Sequence, residues 1–134
     1  PTRASDGKAN LHRGGVGVGI DLSTGTTLAG IQKSHYIDKH PETGHSLCNR
    51  QIPHWQTILD MAARLGDKTE FGYLGVDIVL DQQFGPLLLE INARPGLAIQ
   101  ISNREGLIGR LEAIDAALPK LSGVEEKIAF AQER

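Results

Sequence analysis

The chain has 134 residues, 40% of them hydrophobic and 22% charged, with a formal net charge of -2. That length allows one domain with a modest core, and the near-neutral balance gives no electrostatic reason to expect nucleic acid or an anionic membrane as partner. No apolar run approaches the roughly 20 residues that span a bilayer, no secretory leader is recognisable, and a lone Cys48 excludes an internal disulfide framework, so a cytoplasmic protein is expected.

From the first residues on, Arg3 to Gly15 carries Arg3, Lys8 and Arg13 besides His12, and closes on a glycine pair. Cations on a loop can hold phosphate or carboxylate oxygens, Arg13 through its planar fork of donors; a solvated basic loop is the alternative. In Gly15 to Asp21 the glycines fall at every second position, no Gly-Lys-Ser/Thr follows, and a turn comes next instead of a helix, which argues against a phosphate loop. The pattern predicts a strand with Val16, Val18 and Ile20 on one face and a bare opposite face, open to another backbone or a flat ligand. Thr26 to Lys33 reads as the returning strand through a turn at Ser23 to Gly25.

Ser34 to Pro53 is polar and turn-rich, and reads as a mobile surface loop over a cleft. Its His35, His40 and His45 recur every five residues, which suits neither a helix face nor a strand face and argues against zinc. Cys48 has no nucleophile signature around it. Trp55, Ile58, Leu59, Ala62 and Leu65 then mark an amphipathic helix, expected to end at Gly66 and to cover one face of a following sheet.

That sheet is the hairpin Gly72 to Gly96, GYLGVDIVLDQQFGPLLLEINARPG. Tyr73 to Asp81 and Pro86 to Asn92 read as antiparallel strands joined at Gln82 to Gly85, which sets Asp77 opposite Glu90. Asn92 falls one pleat further along the same face, and strict alternation groups Leu88, Glu90 and Asn92 against Leu87, Leu89 and Ile91. Carboxylates directly opposite each other repel, so a cation is one reading and a solvated polar face the other. Two carboxylates and an amide are oxygen ligands suited to Mg²⁺ or Mn²⁺. Leu107, Ile108, Leu111, Ile114 and Leu118 predict a second helix stopped by Pro119, and Ser122-Gly123-Val124-Glu125 reads as a capping box that opens a last short helix.

Asp77, Glu90 and Asn92, followed at once by Pro95-Gly96, resemble the closing metal motif of the ATP-grasp ligases. Upstream, Lys8-Ala9-Asn10-Leu11-His12-Arg13-Gly14-Gly15 resembles the Asn-Leu-His-Arg-Gly-Gly segment of the RimK-type α-L-glutamate ligases in that superfamily. The two motifs together reach from Lys8 to about Gln100. The resemblance implies an α+β fold, the C-terminal ATP-grasp subdomain, with antiparallel sheet packed against helices. It implies that residues 1–134 are one partial domain, the other half of the catalytic domain lying upstream, and that this half alone is inactive.

The resemblance further implies ATP and Mg²⁺ (or Mn²⁺) as cofactors, and a substrate, small molecule or peptide, that brings a carboxylate and an amine. Asp77, Glu90 and Asn92 would hold the metal, and Lys8, Asn10 and Arg13 the cofactor. Arg13 and Arg94 would serve catalysis, Arg94 by steadying the phosphate or the acylphosphate intermediate. Arg94 stands where the glutamate ligases carry Ser or Thr, which points to a related branch with a different carboxylate or amine. The alternatives are a non-catalytic nucleotide- or peptide-binding module, an interaction domain with a solvated acidic pair, and an ATP-grasp ligase associated with sugar transfer.

Overall fold

The computed structural model describes residues 1–69, 71–103 and 106–133. The chain divides into two compact units, Pro1–Ile52 with Leu97–Ala113, and Pro53–Gly96 with Ile114–Arg134. Both combine antiparallel strands with helical segments, so the architecture is α+β, as expected.

The first unit is built on a three-stranded antiparallel sheet of β1 (Gly17–Ile20), β2 (Thr27–Gln32) and β3 (His35–Ile37), in that order. Asp21 closes the β1–β2 turn by accepting from the Thr24 N–H at 2.8 Å and from the Ser23 and Thr24 hydroxyls at 2.6 and 2.9 Å. These donors, the Ser23 hydroxyl foremost, hold its carboxyl below the usual range. The bare face of β1 is not open to a ligand. A 3-10 segment, Leu97–Asn103, packs there, and a β-carbon on Gly19 would overlap the Ser102 carbonyl, while one on Gly17 would lie 2.8 Å from Ser102 Oγ. Of the two occupants that a side-chain-free face admits, the chain's own backbone has taken the place.

The expected mobile loop after β2 is ordered by backbone pairing. Lys33 and Ser34, at φ +47 and +65, turn β2 into β3, and two bridges, Lys39 with Ser46 and Thr26 with Gln51, fold the remainder back. The Thr27 N–H donates to Arg50 O and the Asn49 N–H to Thr27 O, each at 2.9 Å, so β2 is bordered by chain on this side as well. Ile31, 2% exposed, is the buried aliphatic anchor of the sheet.

The second unit contains α1 (Trp55–Lys68), the hairpin of β4 (Gly75–Asp81) and β5 (Gly85–Asn92), and α3 (Val124–Gln132), while α2 (Leu107–Ala117) falls mostly in the first. Helix α1 runs through Gly66 to a stop at Thr69, because one interior glycine costs only about 1 kcal/mol against a formed helix. It packs on α3, where Ile128 is 7% exposed and Lys127 pairs with Asp67. The expected cover of α1 over the hairpin is not its main contact. Leu80, Leu88 and Ile91 stay exposed on one hairpin face, as do Val79 and Leu87 on the other. Pro119 ends α2 in a 3-10 turn, as expected. The cap of α3 is shifted by one residue: Gly123 is the N-cap, and the Ser122 N–H and hydroxyl donate to Glu126 Oε2 at 2.8 and 3.0 Å.

Candidate functional site

The hairpin places its acidic pair by a route that strict alternation does not follow. Asp81 accepts from the Gln83 and Phe84 N–H groups at 2.8 and 2.9 Å, and Gly85, at φ +73, closes a three-residue loop with Asp81 paired to Gly85. The Phe84 and Gln83 amides hold the Asp81 carboxyl below its usual range. From this loop the ladder runs Leu80 with Pro86, Val79 with Leu87 and Ile78 with Leu88, and then shifts so that Asp77 faces Glu90. Leu89 is therefore an extra residue, a β-bulge. A loop one residue shorter than expected and a bulge one residue long cancel, and the expected partners meet.

The bulge also reassigns the faces. Paired residues share a face, so Asp77, Glu90 and Asn92 stand with Val79 and Leu87, while Leu88 joins Ile78, Val76 and Ile91. The Asn92 amide donates from Nδ2 to Glu90 Oε1 at 2.7 Å, which leaves Asn92 Oδ1 as an acceptor on the same side. Asp77 and Glu90 are exposed, in a position where neighbouring β-carbons stand about 5 Å apart and like charges repel. The donors there, two carboxylates and an amide oxygen, fit a hard divalent cation. Among the described residues no three His, Cys, Asp or Glu side chains gather into a metal-binding group, so a cation here would take its remaining ligands from water or phosphate.

After Asn92 the chain folds back onto the start of β4. Gly75 pairs with Asn92, and a β-carbon placed on Gly75 would lie 2.6 Å from Pro95 Cβ. Arg94, between them, is exposed.

In the first unit, Asn10 caps a 3-10 turn, Leu11–Arg13, with Oδ1 accepting from the Arg13 N–H at 3.2 Å. Its carbonyl accepts from the Gly15 N–H at 2.9 Å, where a β-carbon on Gly15 would come within 2.7 Å of the same oxygen. The buried Gly14 carbonyl is held from two sides, by the Thr2 hydroxyl and by Gln32 Nε2, each at 2.8 Å. Asn10 thus shapes the loop, and Lys8, His12 and Arg13 present exposed cations or donors from it. Lys33, expected only as the end of the returning strand, reaches the same loop, its Cε 3.5 Å from where a Gly14 β-carbon would sit.

The histidine-rich stretch is tied to backbone and side chains of its own unit. His40 Nε2 lies 3.2 Å from Pro1 O, its Nδ1 accepts from the Thr43 N–H at 3.3 Å, and Cys48 Sγ donates to Asp38 Oδ1 at 3.8 Å. No described helix is long and apolar enough to cross a membrane. Compared with known families, residues 1–116 match a family model described as sugar-transfer associated ATP-grasp. No curated protein and no solved structure matches the chain.

Proposed function

This chain belongs to the sugar-transfer associated ATP-grasp family, and from that membership we propose that it is the metal-binding lobe of an ATP-dependent ligase joining a carboxylate to an amine. The observation that carries this reading is the pairing of Asp77 with Glu90 on a hairpin face that also holds Asn92. A bound Mg²⁺ or Mn²⁺ supplies charge neutralisation at the phosphate oxygens, which is most of what phosphoryl transfer asks of a protein. Asp77 and Glu90 hold it from facing strands, and the Asn92 amide orients Glu90 while presenting its own oxygen. Lys8 and Arg13 bind anionic oxygens of the nucleotide or substrate from a loop that Asn10 holds in shape. Arg94 would steady the phosphoryl group as it passes from ATP to the carboxylate; the amine then attacks the acyl carbon, a C–N bond forms as the C–O bond to phosphate breaks, and phosphate and the amine's proton leave.

Under this reading the second lobe of the nucleotide cleft comes from polypeptide outside residues 1–134, and the reaction runs in the cytoplasm. The Asn10 to Gly15 motif favours amino acid or peptide substrates of the glutamate-ligase type, and the family description favours a ligase that works alongside sugar transfer. Arg94 supports the second, since a cation there alters which acyl group or acceptor fits.

The test is release of ADP and phosphate by the intact protein supplied with ATP, Mg²⁺ and paired carboxylates and amines, amino acids and amino sugars first. Release requires both substrates, and Glu90→Gln lowers it by about a thousandfold, as loss of several kcal/mol of charge stabilisation demands. A loss below about tenfold overturns the metal assignment. Binding of Mg²⁺·ATP without ADP release from any pair would make the chain a binding module.

A further inference from the structure

We propose that Gly75 is a positioning residue for the Asn92 to Arg94 limb of the site, and that it acts by leaving room for Pro95. The role rests on Asp77, Glu90 and Asn92 being the metal ligands. Gly75 opens β4, two residues before Asp77 and therefore on the same face, directly across from Asn92. A β-carbon built there would meet Pro95 Cβ at 2.6 Å, Pro95 Cγ at 3.3 Å and Asn92 Cβ at 3.4 Å. Carbon atoms in contact keep about 3.5–4.0 Å, so the first distance is an overlap. Gly75 is not among the residues with positive φ, so the position demands space and not backbone freedom.

The obstacle is also one that cannot turn aside. A flexible side chain would rotate out of the way, but the Pro95 ring is closed onto its own backbone at a fixed φ. Relief of the overlap must move the main chain between Asn92 and Pro95, and Arg94 is in that span. Asn92 has its own β-carbon 3.4 Å from the same point, so the 2.7 Å bond from its amide to Glu90 is the next to lengthen. The absence of a side chain at Gly75 thus lets a rigid ring occupy the end of the ligand face, and that ring sets where Asn92 and Arg94 stand. Gly75 touches no reacting group; it acts on two residues that do.

The experiment is Mn²⁺ binding, followed by loss of the free-ion paramagnetic resonance signal, on the intact protein and on Gly75→Ala, Pro95→Gly and the double variant. Loss of a supporting contact typically costs a metal site about 10–100-fold, and Gly75→Ala should weaken Mn²⁺ binding by about tenfold or more. The Mg²⁺ concentration for half-maximal ADP release should rise in parallel. The double variant should bind Mn²⁺ no more weakly than Pro95→Gly alone, because with neither ring nor β-carbon at residue 95 a β-carbon at residue 75 meets no overlap there. Should Gly75→Ala not fold, Pro95→Ala, which opens the ring and leaves Gly75 untouched, should weaken Mn²⁺ several-fold by the same logic. Binding by Gly75→Ala within about twofold of the parent, or losses in the double variant that simply multiply, would overturn the role. Failure of the parent protein to bind Mn²⁺ would instead overturn the metal reading, and this role with it.

Discussion

Two glycine-bearing strands of this protein, β1 and β4, use the missing side chain for opposite ends. At β1 the bare face of Gly17 and Gly19 is filled by the chain itself, Ser102 lying where their β-carbons would be, in a unit whose Ile31 is 2% exposed. At β4, Gly75 makes room for Pro95 on a hairpin whose apolar residues stay in solvent, Leu89 at 65% and Phe84 at 68% exposed. The first arrangement closes a core; the second shapes the end of an exposed acidic face. An empty face in a sequence therefore says that something approaches closely, and only the depth of the surrounding packing says whether that something is the fold or the site.

The largest test of this contrast is Gly19→Ala. Its β-carbon overlaps a backbone carbonyl that can move only by lifting Leu97–Asn103 off the sheet. Overpacking of that kind costs about 1–3 kcal/mol, and urea unfolding should report a loss near the top of that range with little effect on Mn²⁺ binding. An unchanged midpoint would mean that the 3-10 segment does not rest on β1, and the contrast with Gly75 would fall. A smaller effect is expected at Leu89, where Leu89→Ser should change stability by no more than about 0.5 kcal/mol, as for other exposed positions. A loss of about 2 kcal/mol or more there would instead reveal a buried aliphatic face on the hairpin.

The same two regions show what was legible from residues alone. Period-two and helical spacing located β1, β2, both strands of the hairpin, α1 and α2, because each signal is local to its own element. The pairing of Asp77 with Glu90 was also legible, but by compensation. Asp81 folds its own loop around Gly85 at positive φ and the loop closes after three residues, a turn with a sequence signature, while nothing marks Leu89 as the bulge that restores the register. Strand β3 was missed because Lys33 and Ser34 adopt left-handed conformations without the glycine or asparagine that announces such a turn. The contact between Gly75 and Pro95 spans twenty positions in the chain, and no local pattern encodes it. Exposure of the hairpin's aliphatic residues was equally hidden, since alternation reports which side chains share a face and not what covers that face.

The smallest expected effects lie in the two turns, where the regions can be compared on equal chemistry. Asp21 and Asp81 each accept hydrogen bonds within a turn, and each carboxyl is held below 3.8, its ordinary value, Asp21 by the Ser23 hydroxyl first and Asp81 by the Phe84 amide first. A depressed carboxyl stabilises the fold above its unfolded value, and the contribution is lost as pH falls through the folded value. Carboxyl carbon shifts followed by NMR should therefore give midpoints below 3.8 for both residues. Asp81→Ala should abolish the hairpin's share of the acid sensitivity, leaving that of the Asp21 turn in place. Both turns face solvent, so the change in unfolding midpoint should be small and should shrink further as pH is lowered. A midpoint for Asp81 at or above 3.8 would show that its loop opens in solution. The register would then be free to slip by one residue, which carries Glu90 to the other face of the hairpin and away from Asp77.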